Sequence, residues 1–288
     1  MPLQVSDTSA EAERVQIALL RAASPARRLQ LALGLSRETL RLSWHGLRRA
    51  HPDADEGHIR LLSMSHRYGQ PAATAIGGLI EEQNVMTMQP DLLIALTSVI
   101  TVLRALGVPY FVGGSVASSL YGMPRSTLDV DLVTELRDEH IASLVARLGA
   151  DYYLSEDAMR EAVRTRSSFN LIHLATMLKI DVFVEKARPF DQEMFRRLRD
   201  EPVDLTDTGV TLPLPAPEDI ILAKLEWYRL GNEVSERQWS DILGVVKVQA
   251  ITLDLEYLRH WADELGVRDL LERALSEGGL GDSTGTPG

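Results

Sequence analysis

A turn with the composition of a phosphate-binding site begins near position 110. A short apolar run at 110–112 leads directly into Gly113-Gly114-Ser115. A Gly-Gly turn lets the backbone approach a bulky anion closely. A serine at the start of the following helix adds a hydroxyl to free N–H groups, and the helix dipole favours negative charge there. The pattern predicts an anion site at these three residues, although a Gly-Gly-Ser after a strand is more often a simple tight turn.

A pair of acids follows on the next predicted strand. Arg125-Ser126-Thr127 precedes Asp129-Val130-Asp131, and side chains two residues apart on a strand point to the same face. Two carboxylates on one face suit a hard cation such as Mg²⁺, which shares its remaining positions with phosphates. Taken alone, the pair is also compatible with a solvated strand face or with the metal motif of a glycosyltransferase.

A third acid lies inside a later apolar strand at 178–184. Asp181 is flanked by Ile180 and Val182, and a carboxylate in apolar surroundings needs a compensating partner. The alternative is a strand-end acid near a turn. Three carboxylates suit a two-metal mechanism, in which one ion activates an acceptor hydroxyl and the other orients a triphosphate.

The combination of Gly-Gly-Ser with Arg-Ser-Thr-x-Asp-Val-Asp resembles the signature of the DNA polymerase β-like nucleotidyltransferase superfamily, in particular minimal, toxin-like bacterial members related to AbiEii. The resemblance covers about residues 91–256. It implies that two Mg²⁺ ions, or Mn²⁺ in their place, are held by three catalytic carboxylates, Asp129, Asp131 and Asp181. It also implies nucleotide binding by Gly113, Gly114, Ser115, Arg125, Ser126, Thr127, Lys224 and Asp241.

Three of these nucleotide-binding residues have ordinary alternatives. Arg125 is suited to a bidentate contact with a phosphate, but a surface salt bridge is nearly as good an explanation. Lys224 and Asp241 stand on two successive predicted helices, as a similar Lys and Asp do in the toxin-like relatives. An interhelical ion pair without any role in nucleotide binding explains them equally well.

The function implied by the resemblance is a nucleotidyltransferase that moves an NMP from an NTP to a tRNA-like RNA end or to a protein hydroxyl. It allows a role as the toxin of a toxin–antitoxin pair, with an antitoxin partner. The alternative is a catalytically inactive nucleotide-binding or regulatory module on the same fold. A glycosyltransferase ranks below both, because it gives no role to Gly114 and Ser115.

Composition excludes several other classes of protein. A formal net charge of -11 over 288 residues argues against a protein that coats nucleic acid. The absence of cysteine removes disulfides and thiolate chemistry. Neither an apolar run long enough to span a membrane nor a signal peptide is indicated, so we expect a cytoplasmic protein with no membrane partner.

Periodicity predicts an α+β protein, with the nucleotidyltransferase fold built on a mixed β-sheet flanked by helices. Predicted helices at 27–46, 57–68, 71–82 and 91–107 precede a run of short strands and helices, and the chain is all-helical after Pro217. The predicted domains are an N-terminal helical accessory unit, the catalytic domain, a C-terminal helical bundle and a disordered tail, at 1–89, 90–212, 213–277 and 278–288. The N-terminal unit is either a fused regulator or a piece that docks the substrate.

Overall fold

The computed structural model describes residues 9–70, 73–77, 92–202 and 211–281. The chain forms two compact units, and each unit is assembled from separate stretches of sequence. The sheet unit comprises residues 33–112 and 126–191, and the helical unit comprises residues 1–32, 113–125 and 192–288. The predicted division of the sequence into four consecutive domains stays a prediction.

Helices and strands alternate over much of the described chain. The helices are α1 (Ala10–Ala22), α2 (Pro25–Ala50), α3 (Glu56–Tyr68), α4 (Leu92–Ala105), α5 (Gly114–Tyr121), α6 (Asp138–Leu148), α7 (Glu156–Thr165), α8 (Pro189–Arg196), α9 (Pro217–Leu230), α10 (Glu236–Gln249), α11 (Leu255–Glu264) and α12 (Arg268–Glu277). The strands are β1 (Tyr110–Val112), β2 (Asp129–Thr134), β3 (Tyr152–Tyr153), β4 (Ser168–His173), β5 (Leu178–Val184), β6 (Arg199–Pro202) and β7 (Thr211–Leu214).

The sheet unit is built on a five-stranded mixed sheet of order β1-β2-β5-β4-β3. Only β2 and β5 run parallel, and the other neighbouring strands are antiparallel. A parallel pair needs a long crossover, which here contains α6 and α7. Helix α4 packs on β2 and β5, and α7 packs on β4 and β5. The predicted α+β class, with a mixed sheet flanked by helices, is confirmed.

Alternation of side chains explains the two faces of the central strands. Val130 and Leu132 of β2, and Ile180 and Val182 of β5, are buried. The residues between them are only partly buried. Because side chains two apart on a strand share a face, the acids of both strands lie on the more accessible face of the sheet.

The helical unit packs α5 against α9 and α10, and α10 also contacts α1 and α12. Gly122 lets the end of α5 approach α10 closely, because a Cβ at this position would lie 2.7 Å from the backbone nitrogen of Val245. Pro217 begins α9, and the side chains of Ser235 and Asp254 cap the next two helices. These three helix starts confirm the helices predicted after Pro217.

Some elements differ from the sequence-based expectation. Helices α7 and α8 and the hairpin of β6 and β7 were not predicted. Of the predicted helix at 71–82, residues 73–77 are helical. Its other residues, the boundary at 89–90 and the tail from 282 lie outside the described residues. In the described part of the chain, no helix combines the length and apolar character needed to cross a membrane.

Candidate active site

The three predicted catalytic acids lie on the two parallel strands of the sheet unit. In the register of these strands, Asp129 pairs with Lys179 and Asp131 pairs with Asp181. Residues directly opposite one another on neighbouring strands project to the same side of the sheet. The structure therefore brings Asp129, Asp131 and Asp181 to one face, and it adds Lys179 to them.

Lys179 is the immediate ionic partner of Asp181. Its Nζ lies 2.6 Å from Oδ2 of Asp181, and both side chains are largely buried. Burial raises the pKa of Asp181, and the charge of Asp129 adds to this effect, while Lys179 offsets only part of it. Burial alone would lower the pKa of Lys179, but its hydrogen bond to Asp181 and the nearby negative charges raise it.

Asp129 is held in place by the residue two positions before it. The Thr127 hydroxyl lies 3.0 Å from Oδ1 and 3.0 Å from the backbone oxygen of Asp129. The Thr127 backbone N–H donates to the Ser36 hydroxyl at 2.8 Å, in a buried contact. Thr127 therefore orients a carboxylate and is itself fixed by α2, while its neighbour Ser126 is half-buried.

The donor chemistry of this face fits a hard divalent cation. Three carboxylates stand against one ammonium, so these four side chains carry two more negative charges than positive ones. Oxygen-only donors are those that Mg²⁺ and Mn²⁺ prefer. Within the described ranges, no three His, Asp or Glu side chains are already arranged to hold a metal ion.

The end of α3 lies beside this carboxylate face. The Tyr68 hydroxyl donates to the Met177 backbone oxygen at 3.1 Å, just before Lys179. Burial raises the pKa of Tyr68, and the charge of Asp129 also raises it, while Arg67 and Lys179 lower it. Neighbouring apolar residues of the same region form a buried cluster: Met64, Ala73, Ile76, Ile172, Leu174 and Met177.

The predicted phosphate-binding turn belongs to the helical unit. Gly113 is the N-cap residue of α5, and Gly114 has a φ of 54°. Side chains rarely adopt this left-handed conformation, so the position favours glycine. Ser115 stands in the first turn of α5, where backbone N–H groups have no partner within the helix.

Four of the predicted nucleotide-binding residues meet in one network of the helical unit. Nε and Nη2 of Arg125 lie 2.6 and 2.8 Å from the two carboxylate oxygens of Asp241, and Nη2 also contacts the Ser115 hydroxyl. Lys224 donates to Asp241 at 2.8 Å. The network therefore combines two cations with one carboxylate and keeps an excess positive charge next to Ser115.

Asp241 is the central group of this network. Its side chain is only 4% exposed. Burial would raise the pKa of Asp241, but hydrogen bonds from Arg125 and Lys224, together with their charges, lower it below the usual value. Asp241 therefore stays ionised and aligns the two cationic side chains.

Three residues of the site region were not predicted from the sequence. Lys179 is two residues before Asp181, and strand alternation alone would have placed it on the same face. Ser36 and Tyr68 approach the site through tertiary packing, so no local pattern marks them. Both belong to the N-terminal unit, which was expected to act as a fused regulator or to dock the substrate.

Arg28 belongs to the stretch of the N-terminal region that lies in the helical unit, and it anchors this stretch there. Its guanidinium is buried and donates to the backbone oxygens of Leu20, Ala23 and Leu120. Leu120 lies in the last turn of α5, the helix that begins with the Gly-Gly-Ser turn. Burial lowers the pKa of Arg28, and its Nε and Nη1 donate to these three carbonyl oxygens.

Comparison with known proteins gives two kinds of similarity. Residues 21–77 match the family described as Rv0078B-related antitoxin. This match includes Arg28, Ser36 and Tyr68. No curated protein matches the chain.

Several solved structures are similar at low identity. One is an antigenic nucleotidyltransferase-like protein from Paracoccidioides brasiliensis, with 18% identity over 63% of this chain and 91% of that chain and a TM-score of 0.40. A putative nucleotidyltransferase from Thermotoga maritima shows 18% identity over 53% and 94%, with a TM-score of 0.36. The antibiotic-resistance factor ANT(2'')-Ia shows 15% identity over 63% and 91%, with a TM-score of 0.38. At such TM-scores the likeness carries no functional conclusion.

Proposed function

We propose that this chain is a magnesium-dependent nucleotidyltransferase that moves the NMP of an NTP onto an RNA end or a protein hydroxyl. The observation that carries the proposal is the register of β2 and β5, which sets Asp131 directly opposite Asp181 with Asp129 on the same face. The resemblance of the Gly-Gly-Ser and Asp-Val-Asp motifs to the polymerase β-like superfamily gives these acids their role.

The acids of the sheet unit would hold the metal ions. Mg²⁺ at such a site supplies Lewis-acid stabilisation of phosphate charge and makes the acceptor hydroxyl easier to deprotonate. Asp129, Asp131 and Asp181 would hold the ions, and Thr127 keeps the Asp129 carboxylate in one orientation. Asp181 contacts Lys179 directly, and the family resemblance assigns it to the acceptor-side ion.

The network of the helical unit would bind the triphosphate. Phosphate oxygens accept hydrogen bonds from backbone N–H groups at a helix start and from guanidinium and ammonium groups. Ser115, Arg125 and Lys224 provide such donors. Asp241 holds both cations by direct contacts, so that little ordering is needed when the anion arrives.

The test is transfer of α-labelled nucleotide. Purified protein is incubated with each labelled NTP, Mg²⁺, and either total RNA or cell extract. We expect label in RNA or in a protein band, and we expect Asp131→Asn to abolish it. The matched control is Asp157→Asn, which changes an exposed acid of α7 and leaves transfer unchanged. Full activity in Asp131→Asn would show that the metal pair is assigned wrongly.

A nucleotide-binding module without chemistry is the alternative, and the Lys179–Asp181 ion pair favours it, because it neutralises one of the three acids. This alternative predicts metal-dependent NTP binding without transfer of label or release of pyrophosphate. The same incubation therefore separates the two functions, provided that NTP binding is measured in parallel.

A second part of the proposal concerns residues 21–77, which match an antitoxin family. We propose that this segment restrains the catalytic residues in cis and that the chain combines toxin-like and antitoxin-like parts. Ser36 accepts the backbone N–H of Thr127, and Tyr68 is bound beside Lys179. A segment with these contacts can limit access to the carboxylate face.

Removing the two contacts separately tests the restraint. Tyr68→Phe keeps the packing of the ring but removes the hydroxyl that holds the end of α3 to Met177, so we expect several-fold faster transfer. Ser36→Ala is expected to slow transfer, because Ser36 holds Thr127 and Thr127 orients Asp129. Thr39→Ala, which removes an exposed hydroxyl from α2, serves as the control. Slower transfer in Tyr68→Phe would show instead that the end of α3 supports catalysis or docks the substrate.

A further inference from the structure

Lys179 occupies an unusual place for a cation. It follows the alternation of β5, so it shares a face with Asp181, and it lies opposite Asp129 in the strand register. Its Nζ is 2.6 Å from Asp181, and its side chain is 23% exposed. The ammonium therefore sits among the carboxylates that the proposed function assigns to metal binding.

Charge explains why a cation is needed at this position without a metal ion. Carboxylates on adjacent strands repel one another, and burial strengthens the repulsion because the surroundings screen charge poorly. Lys179 neutralises one of the three acids and leaves them less strongly repelled.

We propose that Lys179 is an internal counter-ion that competes with the divalent cation for Asp181 and so sets the metal concentration at which the site fills. This inference rests on the proposed function, because it takes the three acids as the metal ligands. An ammonium hydrogen-bonded to a carboxylate oxygen reduces the ability of that oxygen to coordinate a metal ion. Binding of the metal therefore requires the Lys179–Asp181 contact to open.

The side chain of Lys179 is able to make this change. Lysine is a compact charge on a flexible stem, and partial exposure leaves it a route towards solvent. The ion pair contributes to stability, but β5 is also held by backbone pairing with β2 and β4, so the sheet persists when the contact opens. A competing counter-ion predicts tighter metal binding when Lys179 is removed. If Lys179 were purely structural, its removal would weaken metal binding along with the fold.

The experiment compares Mn²⁺ binding to the full chain and to Lys179→Met, using the EPR signal of free Mn²⁺, with thermal unfolding measured alongside. We expect Lys179→Met to bind Mn²⁺ roughly tenfold more tightly, the lower end of what a neighbouring opposite charge does to a carboxylate. Without metal the variant should unfold at a lower temperature, and Mn²⁺ should raise that temperature more than it does in the unaltered chain. Lys186→Met, which removes the charge of an exposed lysine, should change neither quantity.

Three results would overturn the inference. Unchanged or weaker Mn²⁺ binding in Lys179→Met would mean that Lys179 does not compete with the metal. No Mn²⁺ binding by either protein, or binding that survives both Asp129→Asn and Asp131→Asn, would reject the carboxylate site and the proposed function with it. If the acids are required but Lys179→Met does not tighten binding, only the counter-ion fails. Should Lys179→Met not fold, Lys179→Gln tests the same point, because it keeps a hydrogen-bond donor without the charge.

Discussion

At the scale of single residues, the two sets of predicted site residues differ in their balance of positive and negative charge. The acids of the sheet unit share one face with Lys179, whereas Asp241 of the helical unit contacts two cations, Arg125 and Lys224. The first arrangement is deficient in positive charge and suits a cation. The second has an excess of positive charge and suits a phosphate.

Asp241→Asn tests the second arrangement through stability. It leaves Arg125 and Lys224 without their buried counter-ion, which costs about 3 kcal/mol of unfolding free energy. Because the pKa of Asp241 is lowered in the folded protein, its contribution is complete above the unfolded value of about 4 and is lost as the pH falls through the lowered pKa.

Urea unfolding of both proteins at several pH values measures this difference. We expect the unfolding free energies of the two proteins to differ by a constant amount between pH 5 and 7, because Asp241 is already ionised at about pH 5. Below pH 4 we expect a smaller difference. Asp200→Asn, which changes an exposed acid of β6, is the control. An equal difference at all pH values would show that Asp241 contributes through its shape and not through its charge.

The placement of the three acids on one face could be predicted from the sequence, because strand alternation is a local pattern. Asp129, Asp131 and Asp181 come to one face as strand alternation and the family resemblance predicted. The contact of Arg125 with Ser115 and Asp241 depends on the packing of α5 against α10, and periodicity does not encode such packing. Lys179 was overlooked even though its position relative to Asp181 was visible in the sequence.

At the scale of elements, α5 connects the predicted phosphate-binding turn to residues 21–77, which match the antitoxin family and are called the antitoxin-like segment. The helix begins at Gly114 and ends at Tyr121, and Arg28 binds the backbone oxygen of Leu120 in its last turn. A cation near the C-terminus of a helix also interacts favourably with the helix dipole. Arg28 therefore positions α5 from the end opposite to the turn.

Arg28→Met should destabilise the protein by about 3 kcal/mol, because it leaves three backbone oxygens without a donor, each worth on the order of 1 kcal/mol. Arg28→Lys should recover only part of this loss, since an ammonium lacks the fork geometry of guanidinium. The control is Arg27→Met, at the exposed neighbouring position of α2. Equal stability of Arg28→Met and Arg27→Met in urea unfolding would contradict the role given to Arg28.

The elements missed by the sequence analysis are short or contain unusual residues. The hairpin of β6 and β7 carries Pro202 and Pro213, and proline within a run argues against a strand. Helix α7 is rich in charged residues, and its buried positions, Met159 and Ala162, form a narrow stripe. Helices α4 and α9 are longer and carry many buried apolar residues, so the sequence marks them more clearly.

At the scale of the whole chain, the antitoxin-like segment contributes to both compact units. Residues 21–32 belong to the helical unit and residues 33–77 to the sheet unit. In one unit the segment holds α5 through Arg28, and in the other it contacts Thr127 through Ser36. The restraint proposed for this segment therefore rests on contacts within a unit.

The most direct test of the central claim is the rate of label transfer by Asp181→Asn, measured at saturating Mg²⁺ and NTP beside the unaltered chain and Asp157→Asn. Asp181 is the acid whose role depends on the register of β2 and β5. We predict a loss on the order of 100-fold or more, as expected when one group that stabilises the transition state is removed. Transfer by Asp181→Asn at the rate of the unaltered chain would contradict the claim that the three carboxylates act as one catalytic site.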